Sequence, residues 1–179
     1  MKTLFKILAG IGIFIVIILV VALILPSKYD VEREITIMSP KDSVFNYIKY
    51  LKNQDNYSVW ANMDPDMKKD YRGTDGTVGF VSAWDSQKDD VGKGEQEILK
   101  ITDGERIDFE LRFNEPFEAT DQGYMTTTSL DSASTLVKWG FNGEFPYPMN
   151  LMMLFMDMDE MLGNDFEQGL SNLKEILEK

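Results

Sequence analysis

Residues 149–179 read MNLMMLFMDMDEMLGNDFEQGLSNLKEILEK, and their spacing predicts one long C-terminal helix. Leu151, Phe155, Met158, Leu162, Phe166, Leu170, Leu173 and Leu177 recur at steps of three or four, which sets them along one helical stripe. Met149, Met152, Met153, Met156, Met158 and Met161, out of 11 methionines in the chain, crowd the first half. Gly163-Asn164-Asp165 brings weak helix formers into the run, which predicts a local kink or a hinge there. A stripe this long needs an apolar surface to cover, and the preceding residues supply one.

That surface is written as strands. Ile107, Phe109, Leu111 and Phe113 alternate with Arg106, Asp108, Glu110 and Arg112, the period of a strand with one buried face. Asn114-Glu115-Pro116 breaks it. A threonine-rich strand over 119–130 and a last strand over 135–144, with Val137, Trp139 and Phe141 on one face, come next. Phe145-Pro146-Tyr147-Pro148 then makes an aromatic elbow before the helix. Upstream, strands are expected at 77–84 and 94–101, the second joined to 106–113 through the hairpin signal Asp103-Gly104.

Further back, 63–78 reads as a loop crossing whose aspartates lack the spacing of a calcium loop. A short helix over 57–62 carries Trp60. Ser39 as N-cap and Pro40 at the first helical position open an earlier helix with Val44, Phe45, Ile48 and Leu51 as its stripe. The first strand, 30–38, sets Val31, Arg33, Ile35 and Ile37 on one face. The expected fold class is α+β: a curved antiparallel sheet of six or seven strands wrapped on a long C-terminal helix.

This order of elements resembles the helix-grip fold of the SRPBCC superfamily, which includes START domains, birch-pollen-allergen-like proteins and polyketide cyclase/dehydrases. The residues carrying the resemblance are Ser39-Pro40 ahead of Val44 and Phe45, Trp60, Tyr71 and Gly73, and Gly79 and Trp84. The runs 94–101 and 107–113 with Pro116, and Phe166-x-x-Gly169-Leu170-x-x-Leu173-Lys174, continue it. The resemblance spans residues 30–179, and no single motif in it is diagnostic. It implies a sheet gripping the C-terminal helix around a cavity for an apolar ligand.

Ahead of this part, Ile7 to Leu25 is an uncharged run of nineteen residues, long enough to cross a bilayer as a helix. A cleaved signal peptide is the alternative, with Val20 and Ala22 at the minus-three and minus-one positions, although Leu23-Ile24-Leu25 prolongs the run past that point. Residues 1–26 are thus expected as a transmembrane anchor and 27–179 as the helix-grip domain. Lys2 and Lys6 favour a cytoplasmic N-terminus with the domain outside, a single-pass arrangement of the bacterial inner-membrane kind.

Charge and composition narrow the chemistry. With Lys2 and Lys6 set aside from the 18 Lys and Arg, residues 27–179 hold 16 basic side chains against 30 acidic ones, a net charge of −14. That repels nucleic acid. The sequence has no cysteine and no histidine, which removes thiolate chemistry, the usual general base near neutral pH and the commonest metal ligand. Asp157-Met158-Asp159-Glu160 reads as a wet helix edge rather than a metal site. No metal and no cofactor are expected.

The ligand-lining residues expected are Phe109, Phe113, Trp139 and Phe141 on the strands, Met152, Phe155 and Met156 over them, and Trp60 and Trp84 beside them. Methionine is flexible and polarisable, which suits a site for varied apolar shapes. A filled core explains any one of these residues better, and explains the methionine cluster as a set equally well. The function expected is a membrane-anchored binding domain for a hydrophobic small molecule or lipid. The alternatives are a cyclase- or dehydratase-like enzyme and a structural domain with a surface partner. Chemistry would draw on Asp108, Glu110, Arg112 or Tyr124, yet alternation sets Asp108, Glu110 and Arg112 opposite the aromatic face, so the reading leans away from an enzyme.

Overall fold

Seven strands whose side chains alternate between an inner and an outer face build one antiparallel sheet. The computed structural model describes residues 2–179. Its elements are α1 Lys2–Ile24, β1 Lys28–Ile37, α2 Lys41–Ile48, α3 Leu51–Gln54 and α4 Val59–Met63. They continue as β2 Lys68–Arg72, β3 Val81–Asp85, β4 Lys93–Thr102, β5 Arg106–Glu115, β6 Ala119–Ser129 and β7 Thr135–Glu144. A 3₁₀ segment, Met149–Leu154, and α5, Met158–Leu177, complete the chain. The strand order is β1-β7-β6-β5-β4-β3-β2, and every neighbouring pair is antiparallel. This is the expected α+β helix-grip architecture with seven strands.

Register makes the sheet's inner face continuous. Ile107 pairs with Met125, Met125 with Trp139, and Trp139 with Arg33. One step along, Phe109 pairs with Gly123, Gly123 with Phe141, and Phe141 with Val31. Two register shifts between β4 and β5, with Asn114 the extra residue in β5 and Leu99 the extra residue in β4, bend the sheet as such bulges do. Phe166, Leu170 and Leu173 of α5 and Val44, Phe45 and Ile48 of α2 are buried in the same core as these rows. Gly169 lets α5 come close, since a Cβ there would stand 2.8 Å from the Trp139 ring.

The structure corrects four expectations. First, the C-terminal run is not one helix. The 3₁₀ segment ends at Phe155, and α5 starts afresh after Asp157, whose carboxylate accepts the Glu160 backbone N–H at 3.1 Å. An Asp N-cap with acidic residues in the first turn favours a helix start here. Gly163-Asn164-Asp165, the expected kink, lies inside unbroken helix.

Second, 68–72 is strand rather than loop. Lys69 and Tyr71 point inward, and Tyr71 stacks on Phe80 and donates to Asp55 at 2.7 Å. A charged edge strand hides this pattern by resembling a solvated loop. Third, Ser39 caps nothing with its side chain; its carbonyl accepts the Thr135 hydroxyl at 2.8 Å. Fourth, the helix expected through Leu51 breaks in two. The Asp75 carboxylate accepts the Leu51 and Lys52 backbone N–H groups at 2.9 and 3.2 Å, giving α3 its own start.

Candidate functional site

Between the sheet's inner face and the layer formed by α3, α4, the 3₁₀ segment and α5 lies a cavity of about 730 Å³. Its inner wall is aromatic. Trp139 stacks on Phe166 of α5, ring centroids 4.9 Å apart, and Trp60 meets both rings edge-on. Phe113 lies edge-on to Trp84 and to Phe141. The Trp84 indole N–H donates to the Val91 carbonyl at 3.2 Å, which satisfies its polar end and leaves the ring for the wall. Gly94 makes room for that ring, since a Cβ there would stand 2.7 Å from it.

Strand register lays a polar row across this apolar floor. Ser82 pairs with Gln96, Gln96 with Leu111, and Leu111 with Asp121, so all four face the cavity side by side. Asp121 is buried and accepts the Glu144 backbone N–H at 3.2 Å through one carboxylate oxygen. Gln96 is buried too. Tyr29 completes the row from the edge strand. Its ring lies over Gly143, where a Cβ would stand 2.3 Å from the ring and hydroxyl.

Burial and the Glu144 charge raise the Asp121 carboxyl above its usual range, against the backbone N–H from Glu144. Burial raises the Tyr29 phenol as well, with the nearby Asp121 charge adding to it. Polar groups few in number and convergent in an apolar hollow are the arrangement that orients a small ligand. The row can hold a hydrogen-bonding head while the aromatic wall takes an apolar body.

Of the residues expected to line this space, Phe109, Phe113, Trp139, Phe141, Met152, Trp60 and Trp84 do so. Phe155 and Met156 do not. Phe155 is 87% exposed because the break before α5 turns it outward. Ser82, Gln96, Asp121 and Tyr29 escaped the sequence reading. Their signal is phase: Gln96 keeps step with Gly94 and Ile98 between Glu95 and Glu97, and Asp121 keeps step with Gly123 and Met125.

The residues weighed for chemistry stand on the opposite face. Arg112 pairs there with Glu95, Glu97 and Glu110, Arg106 with Asp108, and the Tyr124 hydroxyl donates to Glu32. Among the described residues, no group of three or more Asp or Glu is placed to hold a metal ion.

Solved structures share this architecture. A norcoclaurine synthase point mutant from Thalictrum, in complex with a transition-state analogue, is similar with a TM-score of 0.60 at 9% identity, over 83% of this chain and 96% of that one. XoxI from Bacillus cereus is similar with a TM-score of 0.59 at 13% identity, over 83% and 94%. Ara h 8.0201 gives a TM-score of 0.54 at 12% identity, over 84% and 95%. At such identities the likeness is one of fold, in line with the helix-grip resemblance. No protein-family model and no curated protein matches the sequence.

Proposed function

We propose that residues 27–179 form a binding domain that holds a hydrophobic small molecule or lipid between sheet and α5, tethered by residues 1–26. The observation carrying this reading is the cavity itself, about 730 Å³ of unfilled space walled by Trp60, Phe109, Phe113, Trp139 and Phe141. A close-packed interior does not leave such a void, and the volume falls within the range of small-molecule sites. The helix α1 is long and apolar enough to cross a membrane, a test that a signal sequence also passes. What supports the anchored reading is that Asn150 of the domain donates to the Ala22 and Leu25 carbonyls at the end of α1.

The test is native mass spectrometry of the full-length chain in mild detergent, paired with uptake of pyrene-labelled phosphatidylcholine. A co-purifying apolar mass, or saturable uptake at one site, is expected. Absence of both overturns the carrier reading.

The buried Asp121 beside Tyr29 favours a second reading, in which the cavity performs acid–base chemistry on its ligand. A carboxyl that burial raises above its usual range holds its proton more readily, which suits it to exchange protons with a bound ligand. Incubating any co-purified ligand with the native chain and with Asp121→Asn separates the two: turnover lost in the variant supports an enzyme, and an unchanged ligand in both supports a carrier.

A further inference from the structure

The end of α1 lacks a donor. The Ala22 carbonyl would accept the N–H of residue 26 in a continuing helix, and residue 26 is proline. Asn150 of the 3₁₀ segment supplies the missing group: its side-chain amide donates to the Ala22 carbonyl at 2.7 Å and to the Leu25 carbonyl at 3.2 Å. Asn150 is 2% exposed, and Ala22 beneath it is 1% exposed. The methionine-rich segment Met149–Leu154 is therefore latched to the last turn of the apolar helix.

The latch fixes depth. Nineteen residues from Ile7 to Leu25 span about 28 Å as a helix at ~1.5 Å per residue, close to the thickness of a bilayer core. Ala22 then lies about 5 Å inside the apolar boundary, and whatever is hydrogen-bonded to it is held at that level. Interfacial segments bury their apolar faces to about 5–10 Å.

The latch also fixes direction. The start of β1, the end of β7, the start of β6 and the end of β5 all lie at the sheet end from which α1 departs. The cavity reaches that end, where Pro116, Phe117, Pro146 and Met149 line it. Around the same end, Phe117 is 66% exposed, Tyr147 50%, Leu154 53% and Phe155 87%. An apolar rim of this kind marks a contact surface.

We propose that this rim is seated in the bilayer leaflet on the domain's side and that the cavity is loaded laterally with lipid from it. This rests on the anchored-carrier reading above and adds the route and the ligand source. Asp89, Asp90, Glu115 and Glu118 stand at the mouth, so a zwitterionic leaflet suits it better than an anionic one.

The chain has no native cysteine, so Phe155→Cys, Phe117→Cys and, at the far end of the sheet, Asp103→Cys can each carry one environment-sensitive fluorophore. The full-length variants are placed in phosphatidylcholine vesicles containing nitroxide-labelled lipid. Several-fold stronger quenching at 155 and 117 than at 103 is expected. Equal quenching at the three positions, in chain that floats with the vesicles after carbonate extraction, overturns the docking face alone. Chain that is extracted by carbonate overturns the anchor and this inference with it. Phe155→Asp provides a second arm, because Phe155 lies outside the cavity. It should slow uptake of pyrene-labelled phosphatidylcholine several-fold and leave the final amount unchanged; an unchanged rate overturns lateral loading, and no uptake by the native chain overturns the carrier reading itself.

Discussion

The Arg33 guanidinium lies across Gly163, so close that a Cβ there would stand 2.0 Å from its Nη2. From this position Nη1 and Nη2 each donate to the Asp159 carboxylate at 2.9 Å, and Nε donates to Glu167 at 2.8 Å. One residue on the inner face of edge strand β1 thus ties down α5 over two turns. A glycine inside a helix costs about 1 kcal/mol relative to alanine, and here it makes room for the guanidinium. Gly163→Ala should therefore be neutral or destabilising in the native chain, but stabilising by about 1 kcal/mol in an Arg33→Ala background. Chemical denaturation of the four members of this cycle measures the sign reversal; a stabilising Gly163→Ala in both backgrounds would show that the close approach carries no weight.

Asn150 is the second long-range tie. Replacing it with alanine leaves the Ala22 carbonyl buried without a donor, which costs on the order of 1–3 kcal/mol. Asn150→Asp should be worse, because a carboxylate offers carbonyl oxygens no N–H and is itself buried. Thermal unfolding of the full-length chain in phosphatidylcholine nanodiscs should rank native above Asn150→Ala above Asn150→Asp. An Asp variant as stable as native would refute the latch.

Asp121 sets a pH dependence. Its carboxyl is raised by burial, so between its unfolded and folded values the folded chain binds more protons than the unfolded one. Stability from this group therefore falls as pH rises through that window and recovers in acid. Asp121→Asn keeps the acceptor for the Glu144 N–H and removes the charge. The variant should be more stable than native at pH 7, with the gap closing as pH falls toward the ordinary aspartate value of about 3.9. Denaturant midpoints collected from pH 4 to pH 8 provide the check, and a gap that widens in acid would contradict the burial argument.

The inward rows of the sheet were legible because a strand's period is two, and Ile107-Phe109-Leu111-Phe113 states it without ambiguity. The polar row was not. Ser82, Gln96, Asp121 and Tyr29 sit on four strands, and only their register brings them side by side. The break after Phe155 was hidden because the methionine run offers an apolar residue at almost every helical phase, so the stripe passes through the break unchanged. Asp157 followed by Glu160 was the local signal for a new start. Strand β2 was masked by its own edge position, where Lys68, Asp70 and Arg72 face water. Pro26 announced an orphan carbonyl at Ala22, but the donor comes from 128 residues away, beyond the reach of local pattern.

Hollow and filled parts of the interior should respond oppositely to a change of volume. Phe109 is 1% exposed and packed in the core as well as bordering the cavity, so Phe109→Ala should cost about 3–5 kcal/mol. Leu111 is half-buried and stands in the middle of the polar row with open space above it. Leu111→Trp adds its bulk to that space, so the usual penalty for overpacking, about 1–3 kcal/mol, should not appear. Uptake of pyrene-labelled phosphatidylcholine should fall several-fold in the same variant, because the ring takes the volume the ligand would occupy. Denaturation and uptake measured on the same full-length protein separate the effects. A Leu111→Trp chain that loses stability as overpacked cores do would mean that the space closes in solution, and one that keeps full uptake would place the ligand elsewhere.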